Sequence, residues 1–407
     1  MQPFALYIHI PFCRHKCPYC DFNTYALLQI PEVEYVESLL VELSYRAALP
    51  EWHGREVQSI FFGGGTPSLL SVESIDKILG TVCRQFPVAE YIEVSLEANP
   101  CDLELGYLQQ LRNSGVNRLS IGAQSFNQNT LRVLGRAHTV EQIETGFMAA
   151  RESGFFNINL DLIYGVPGQS ADDFQEDLAA VVNLNPEHVA AYGLTIEKGT
   201  PFYQSYKRGT IQLPREATVA KMMETANSFL PSCGFEHYEI SNFAERGRAA
   251  LHNLAYWNQT DYLGLGAGAH SYFAVNLPVE DKYGERWSNF ALPNKYSQEV
   301  ALSGQAESWR DTISRSEALF EFFFLGLRKR SGVLFEEFFK TFAVRVEDLY
   351  GPVLEMLNEQ ELIETDQHGI SLSSKGLLLA DSVIEQFAEP VGAQFPPDSL
   401  EKLVANS

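Results

Sequence analysis

Over its first 200 residues the chain alternates short apolar, β-rich stretches with helix-like segments. The stretches Leu6–Ile10, Val57–Phe62, Tyr91–Leu96, Arg118–Gly122, Asn157–Ile163 and His188–Thr195 predict strands. Between them Val33–Ala48, Val72–Arg84, Leu103–Asn113, Val140–Glu152 and Ala171–Val182 predict helices. Regular β–α alternation argues for a parallel sheet covered by helices. Six such units without a G-x-G-x-x-G run favour a curved sheet over a dinucleotide-binding one. The expected class is α/β, built on an open, partial (β/α)6 barrel.

After residue 200 the pattern changes. Arg215–Leu230 reads as a helix, whereas Tyr238–Tyr272 is rich in Gly, Asn and aromatics with no clean period. Beyond a boundary near 295–312, Ser314–Arg330, Leu334–Phe342 and Asp348–Asn358 read as helices. Leu362–Thr365 and Gly369–Leu372 suit a small hairpin before a further helix from Ser373. Three helices and a wing predict a mostly helical, winged-helix-like domain. The expected organisation is a barrel over 1–235, a connecting segment over 236–305 and the C-terminal domain over 306–407.

Composition narrows the partners. At roughly 150 residues per domain, 407 residues suit two domains, and 45% hydrophobic with 20% charged residues is ordinary globular usage. The net charge of −22 lacks the basic footprint of a nucleic-acid binder, and residues 311–390 carry 15 acidic against 7 basic side chains. No apolar run approaches the roughly 20 residues of a membrane span, and Met1-Gln2-Pro3-Phe4 does not start like a signal peptide. A cytoplasmic protein is expected. Six cysteines are too few for a disulfide framework, and three of them fall within eight positions. In a reducing compartment such crowding reads as metal or redox chemistry.

Those three, in Cys13-Arg14-His15-Lys16-Cys17-Pro18-Tyr19-Cys20, follow the first strand at C-x3-C-x2-C spacing. A loop this tight can turn all three sulfurs toward one centre. Three thiolates suit a [4Fe–4S] cluster with one iron left open to a small ligand. A zinc site completed by His9 or His15 is the alternative. The isolated Cys83, Cys101 and Cys233 read as packing residues. Phe61-Phe62-Gly63-Gly64-Gly65-Thr66-Pro67 follows the second strand; its glycines allow a ligand close to the backbone N–H groups.

Together these runs resemble the radical S-adenosylmethionine (SAM) superfamily, in which the open iron chelates SAM and an electron from the cluster cleaves the sulfonium. Tyr7–Cys13, Glu97-Ala98-Asn99-Pro100, Ser120–Ser125, Leu134–His138 and Asp161–Gly168 extend the resemblance to the branch of oxygen-independent coproporphyrinogen III oxidases and heme chaperones. It implies that Cys13, Cys17 and Cys20 hold the cluster. It further implies that Tyr7, Gly64 and Glu97 contact the cluster-bound SAM. Tyr19, Gly65, Thr66, Gln124, Arg136, Asp161 and Thr195 match residues around the branch's second SAM position. Carboxylates suit ribose hydroxyls, Arg136 a carboxylate and Tyr19 an adenine face.

Two departures set the chain apart from the oxidases. Phe22 stands where they carry a further cysteine, and the chain reaches Tyr7 without their N-terminal extension. His252-Asn253-Leu254-Ala255-Tyr256-Trp257 resembles the H-N-x-x-Y-W motif associated with heme in the chaperones, which makes His252 a candidate axial ligand; the competing reading is a structural histidine. The glycine-rich 262–270 run reads as a tight turn or as a place of close ligand approach. The expected function is a heme chaperone that binds the cluster, SAM and heme and passes heme to an acceptor apoprotein, with an electron donor as a further partner. Coproporphyrinogen oxidation, an enzyme activity, is the alternative, and a zinc-stabilised scaffold the third reading.

Overall fold

A computed structural model of the chain describes residues 2–279 and 281–390. Its spine is a twelve-stranded sheet. Six parallel strands cross its centre in chain order: β1 (Phe4–Ile10), β2 (Val57–Gly64), β3 (Val88–Ala98), β4 (Arg118–Gln124), β5 (Ile158–Tyr164) and β6 (His188–Gly193). These are the six expected strands, their ends moved by no more than three residues. β1, β4 and β5 are buried almost throughout, which is why they read as near-continuous apolar runs.

Helices Glu32–Ala47, Val72–Gln85, Leu105–Asn113, Val140–Glu152 and Ala171–Leu184 link β1 through β6 in turn and cover the sheet. Local chemistry sets where two of them start. Thr139 with Gln142, and Ser170 with Asp173, form reciprocal capping boxes that satisfy the first free N–H groups.

A seventh parallel strand, β7 (Tyr262–Leu265), pairs with the other side of β1, so Tyr7 sits in register between Phe61 and Gly264. It falls in the segment that shows no clean period. The 262–270 run proves to be this strand and a tight turn: a side chain at Gly264 would strike the His270 carbonyl, and Gly266 and Gly268 have φ of 100° and 75°. Antiparallel strands extend both flanks, His270–Val279, Lys282–Asn289 and Glu307–Ile313 beyond β7, and Asn242–Ala244 and Glu236–His237 beyond β6. No pairing joins the two flanks among the described residues, so the sheet stays open as a partial barrel.

Residues 319–387 build a second core, around Phe322, Phe323, Phe338, Tyr350 and Phe387. Helices Arg315–Gly326, Phe335–Phe342 and Val346–Glu359 pack with a small antiparallel sheet of Val333–Leu334, Gly369–Leu372 and Ile363–Thr365, the expected helices and wing. Residues 391–407, which the sequence assigns to the same part, lie outside the described residues. Arg286 grips Glu321 through two N–O contacts of 2.9 and 3.1 Å, tying the second core to the sheet. No described helix is long and apolar enough to cross a membrane.

Candidate functional site

The C-terminal ends of the parallel strands and the loops after them line a cavity of about 480 Å³. Of the residues singled out from sequence, Cys13, Cys17, Tyr19, Cys20, Gly64, Gly65, Thr66, Glu97, Gln124, Arg136, Asp161 and Thr195 all line it. Tyr7 and His252 do not. Residues from six separate strands thus meet in one place, as expected where a parallel β/α sheet carries its site.

The cysteine loop is held by hydrogen bonds at both ends. His9 stands between the Tyr7 hydroxyl, 2.9 Å from Nδ1, and the Asn23 carbonyl, 2.9 Å from Nε2. The Asn23 amide in turn donates to the carbonyls of Ala267 and Ala291. Both nitrogens of His9 are therefore engaged, and the Tyr7 hydroxyl is spent on His9. His15 is exposed at the cavity rim.

Donors already stand at the sulfurs. Thr66 Oγ1 lies 3.5 Å from Cys13 Sγ, and Arg136 Nη1 lies 3.5 Å from Cys17 Sγ. The buried Thr24 hydroxyl has no partner among the described residues. A Cβ at Gly65 would come within 2.6 Å of the Phe12 carbonyl and 3.0 Å of Cys13 Sγ, so only glycine lets the β2 loop close over the cysteines. Three free thiols on one cavity, with donors at two of them, fit an iron–sulfur cluster. Among the described residues, no three His, Cys, Asp or Glu side chains are gathered to share a single metal ion. Cys83, Cys101 and Cys233 are exposed, contrary to the packing role read from sequence, because each falls on a solvent-facing side of its element.

Opposite the cysteines the wall is acidic. The Gly64 N–H donates to Glu97 Oε2 at 2.9 Å, yet burial, reinforced by nearby Asp161, pushes the Glu97 carboxyl up to about 7. Burial also raises Asp161, against hydrogen bonds from Asn159 and Ser120. Arg136 spans the two walls, reaching the Gly122 carbonyl as well as Cys17 and Asn99. Gln124 has φ of 67°, a left-handed setting that costs a non-glycine residue energy and turns the end of β4 into the cavity. Such a pocket offers carboxylates to an ammonium or to hydroxyls, and one guanidinium to a carboxylate.

His252 lies behind this wall. It is 1% exposed, with Nδ1 3.0 Å from Ser59 Oγ and Nε2 3.0 Å from Tyr256 Oη. Burial, with Arg118 nearby, drives its pKa down to about 3, so it is a neutral imidazole with both nitrogens occupied. Its neighbour Asn253 reaches the cavity instead. Sequence reading also missed Arg118, Asn159, His188, Tyr192 and Asn242, which form the cavity floor. Arg118, Asn159, His188 and Tyr192 sit within apolar stretches, where a polar residue inside a buried strand was the available signal, whereas Asn242 lies in the segment without a clean period and had none.

Residues 7–181 match the Radical SAM superfamily and residues 313–379 the HemN C-terminal domain, so the barrel with its cysteine loop and the module after it fall into known classes. Curated relatives match over nearly the whole length. Heme chaperone HemW of Lactococcus lactis is 36% identical over 95% of this chain and 97% of its own. The Bacillus subtilis protein of the same name is 37% identical over 94% and 98%, and that of Escherichia coli 36% over 95% and 98%. The chain belongs to the HemW heme chaperone family of radical SAM proteins. Its fold is similar to that of coproporphyrinogen III oxidase (HemN) from Escherichia coli, a radical SAM enzyme, with a TM-score of 0.79 and 27% identity over 95% of this chain and 90% of that one.

Proposed function

We propose that this protein is a cytoplasmic heme chaperone that holds a [4Fe–4S] cluster on Cys13, Cys17 and Cys20, binds SAM in the adjoining cavity, and carries heme to an acceptor apoprotein. The observation that carries the reading is likeness along nearly the full chain to relatives named as heme chaperones, at 36–37% identity, against 27% to the oxidase. Phe22 supports it. The side chain at the oxidases' extra cysteine position is an apolar ring, 64% exposed at the cavity mouth.

When bound, the cluster supplies an electron and an open iron for the methionyl end of SAM. The protein's own groups do the rest. Glu97 and Asp161 accept hydrogen bonds from ammonium or ribose hydroxyls, Arg136 pairs with a carboxylate, and Tyr19 covers an adenine face. Gly64 and Gly65 carry no side chain, so a ligand can lie close against the backbone at this wall. His252, and Arg136 or the Arg246–Arg248 pair for the propionates, are the heme-binding groups in this reading.

Heme titration and a coproporphyrinogen III assay, run on one anaerobically reconstituted sample, test it. Stoichiometric heme binding without carbon dioxide release is expected. SAM- and reductant-dependent release of carbon dioxide would replace the chaperone reading with the oxidase.

A further inference from the structure

Three consecutive backbone N–H groups open the helix Leu251–Trp257, which carries His252, and each ends on a side chain anchored in the cavity floor. Ala250 donates to Tyr238 Oη at 3.3 Å, while Leu251 and His252 donate to the Glu93 carboxylate at 3.1 Å each. Neither Tyr238 nor Glu93 lines the cavity. Both are tied to groups that do.

From Tyr238 the path is a chain of hydrogen bonds. Tyr238 Oη stands 2.8 Å from His188 Nε2, and His188 Nδ1 stands 2.6 Å from Asn159 Oδ1. The Asn159 amide donates to Asp161 Oδ1 and to Ser120 Oγ, at 2.7 Å each. The order of donors follows from the ends. Because Tyr238 Oη accepts from Ala250, its own proton goes to His188 Nε2. The His188 Nδ1 proton then serves Asn159, leaving the Asn159 amide to donate toward Asp161. His188 is neutral throughout, as its complete burial requires.

From Glu93 the path is electrostatic. Arg118 Nε lies 4.0 Å from the Glu93 carboxylate, and the Arg118 side chain, 2% exposed, lines the cavity. That Nε has no hydrogen-bond partner among the described residues, so Arg118 is held to Glu93 by charge alone. Glu93 also pairs in register with Ser59, the residue that holds the His252 ring, so one point of the β2–β3 ladder fixes both the backbone and the imidazole of His252.

We infer that Glu93 and Tyr238 are positioning residues that tie the setting of the His252 helix to occupation of the cavity by SAM. The inference rests on the proposed function only in taking SAM as the occupant. A helix of seven residues has little stability of its own, so its first turn is set by these acceptors. SAM engaging Asp161 and approaching Arg118 tightens both paths, because hydrogen bonds in a dry interior reinforce one another. By linkage, whatever the helix binds changes SAM affinity by the same factor.

The test is amide hydrogen exchange across residues 250–256 in the cluster-loaded full chain, with and without SAM. SAM should slow exchange at 250–252 by about fivefold or more, the lower end of ordinary coupling between sites. Tyr238→Phe and Glu93→Gln should each remove at least half of that slowing, and circular-dichroism melting confirms that each variant is folded. Should Glu93→Gln fail to fold, Tyr238→Phe, which loses one hydroxyl, decides alone. Exchange unchanged by SAM in the natural protein overturns the inference, as does full slowing in both variants. Equilibrium dialysis with SAM separates the two failures: no binding overturns the proposed cavity occupant as well, whereas binding without slowing overturns this coupling alone. Because the readout needs no heme, it stands even where heme titration fails.

Discussion

The imidazole of His252 lies against the ring of Phe61, with centroids 5.1 Å apart and planes 26° from parallel. Phe61 lines the cavity and His252 does not, so one aromatic layer separates the imidazole from the cavity. Ligation of heme iron therefore requires a nitrogen to leave either Tyr256 or Ser59. Tyr256→Phe frees Nε2 while keeping the ring. With about 1 kcal/mol for such a hydrogen bond, heme should bind about fivefold tighter in this variant. His252→Ala should weaken binding and abolish the gain. Equal affinity for heme in all three proteins, read from the visible absorption titration, removes His252 as the ligand.

With SAM in the proposed site, Glu97 makes its binding depend on pH. Held up to about 7 by burial and Asp161, its carboxyl is protonated in the free protein below that pH. A ligand that needs the carboxylate must displace the proton. Affinity for SAM should fall by up to about tenfold per unit as pH drops below about 7, and level off above it. Glu97→Gln should bind SAM more weakly at pH 8, by about 1–3 kcal/mol, and show little pH dependence from 6 to 7. Folding stability runs the other way. A raised acid binds its proton more tightly when folded, so ionising it costs stability as pH rises from 4.5 through about 7. The Gln variant should gain on the natural protein in melting temperature across that window.

Replacing Cys13, Cys17 or Cys20 with Ala should abolish or sharply reduce cluster content after anaerobic reconstitution, measured as iron and acid-labile sulfide. Cys83, Cys101 and Cys233 are exposed and far from this loop in sequence, and their Ala variants should load normally. A Cys13→Ala protein with full cluster content ends the assignment.

Two glycines should respond in opposite directions. At Gly65 a methyl group meets the Phe12 carbonyl, which as backbone cannot yield, so Gly65→Ala should destabilise by about 1–3 kcal/mol. At Gly80, inside the helix Val72–Gln85, the nearest atom is the mobile end of Arg84 at 3.4 Å. Gly80→Ala should stabilise by about 0.5–1 kcal/mol through its helix propensity. Denaturant titration of both variants checks the pair.

Much of this was legible because parallel strands advertise themselves. β1, β4 and β5 are buried almost throughout, and several residues that chemistry needs stand at or just after the strand ends. The sheet's flanks were less legible. β7 is only four residues long, and its glycines announce the turn that follows it, not the strand itself. The cavity floor was hidden for the opposite reason. Arg118 and Asn159 each belong to an apolar stretch, and only the fold shows that those positions face the cavity. His252 illustrates the limit of a motif. Its letters announce a ligand, whereas its setting depends on Ser59 and Glu93, well over a hundred residues earlier.

The pairing of β1 with β7 bears on how the molecule is made. On the ribosome, β1 emerges ahead of β2 and pairs with it once residue 64 has been made, but its other edge stays open until residue 265 has been synthesised. For that interval Tyr7 and its neighbours present unpaired N–H and C=O groups, the feature that invites nascent chains to pair with one another. The anchors that Ala267 and Ala291 give to Asn23 arrive later still. The cysteine loop is thus translated more than two hundred residues ahead of the backbone that anchors it.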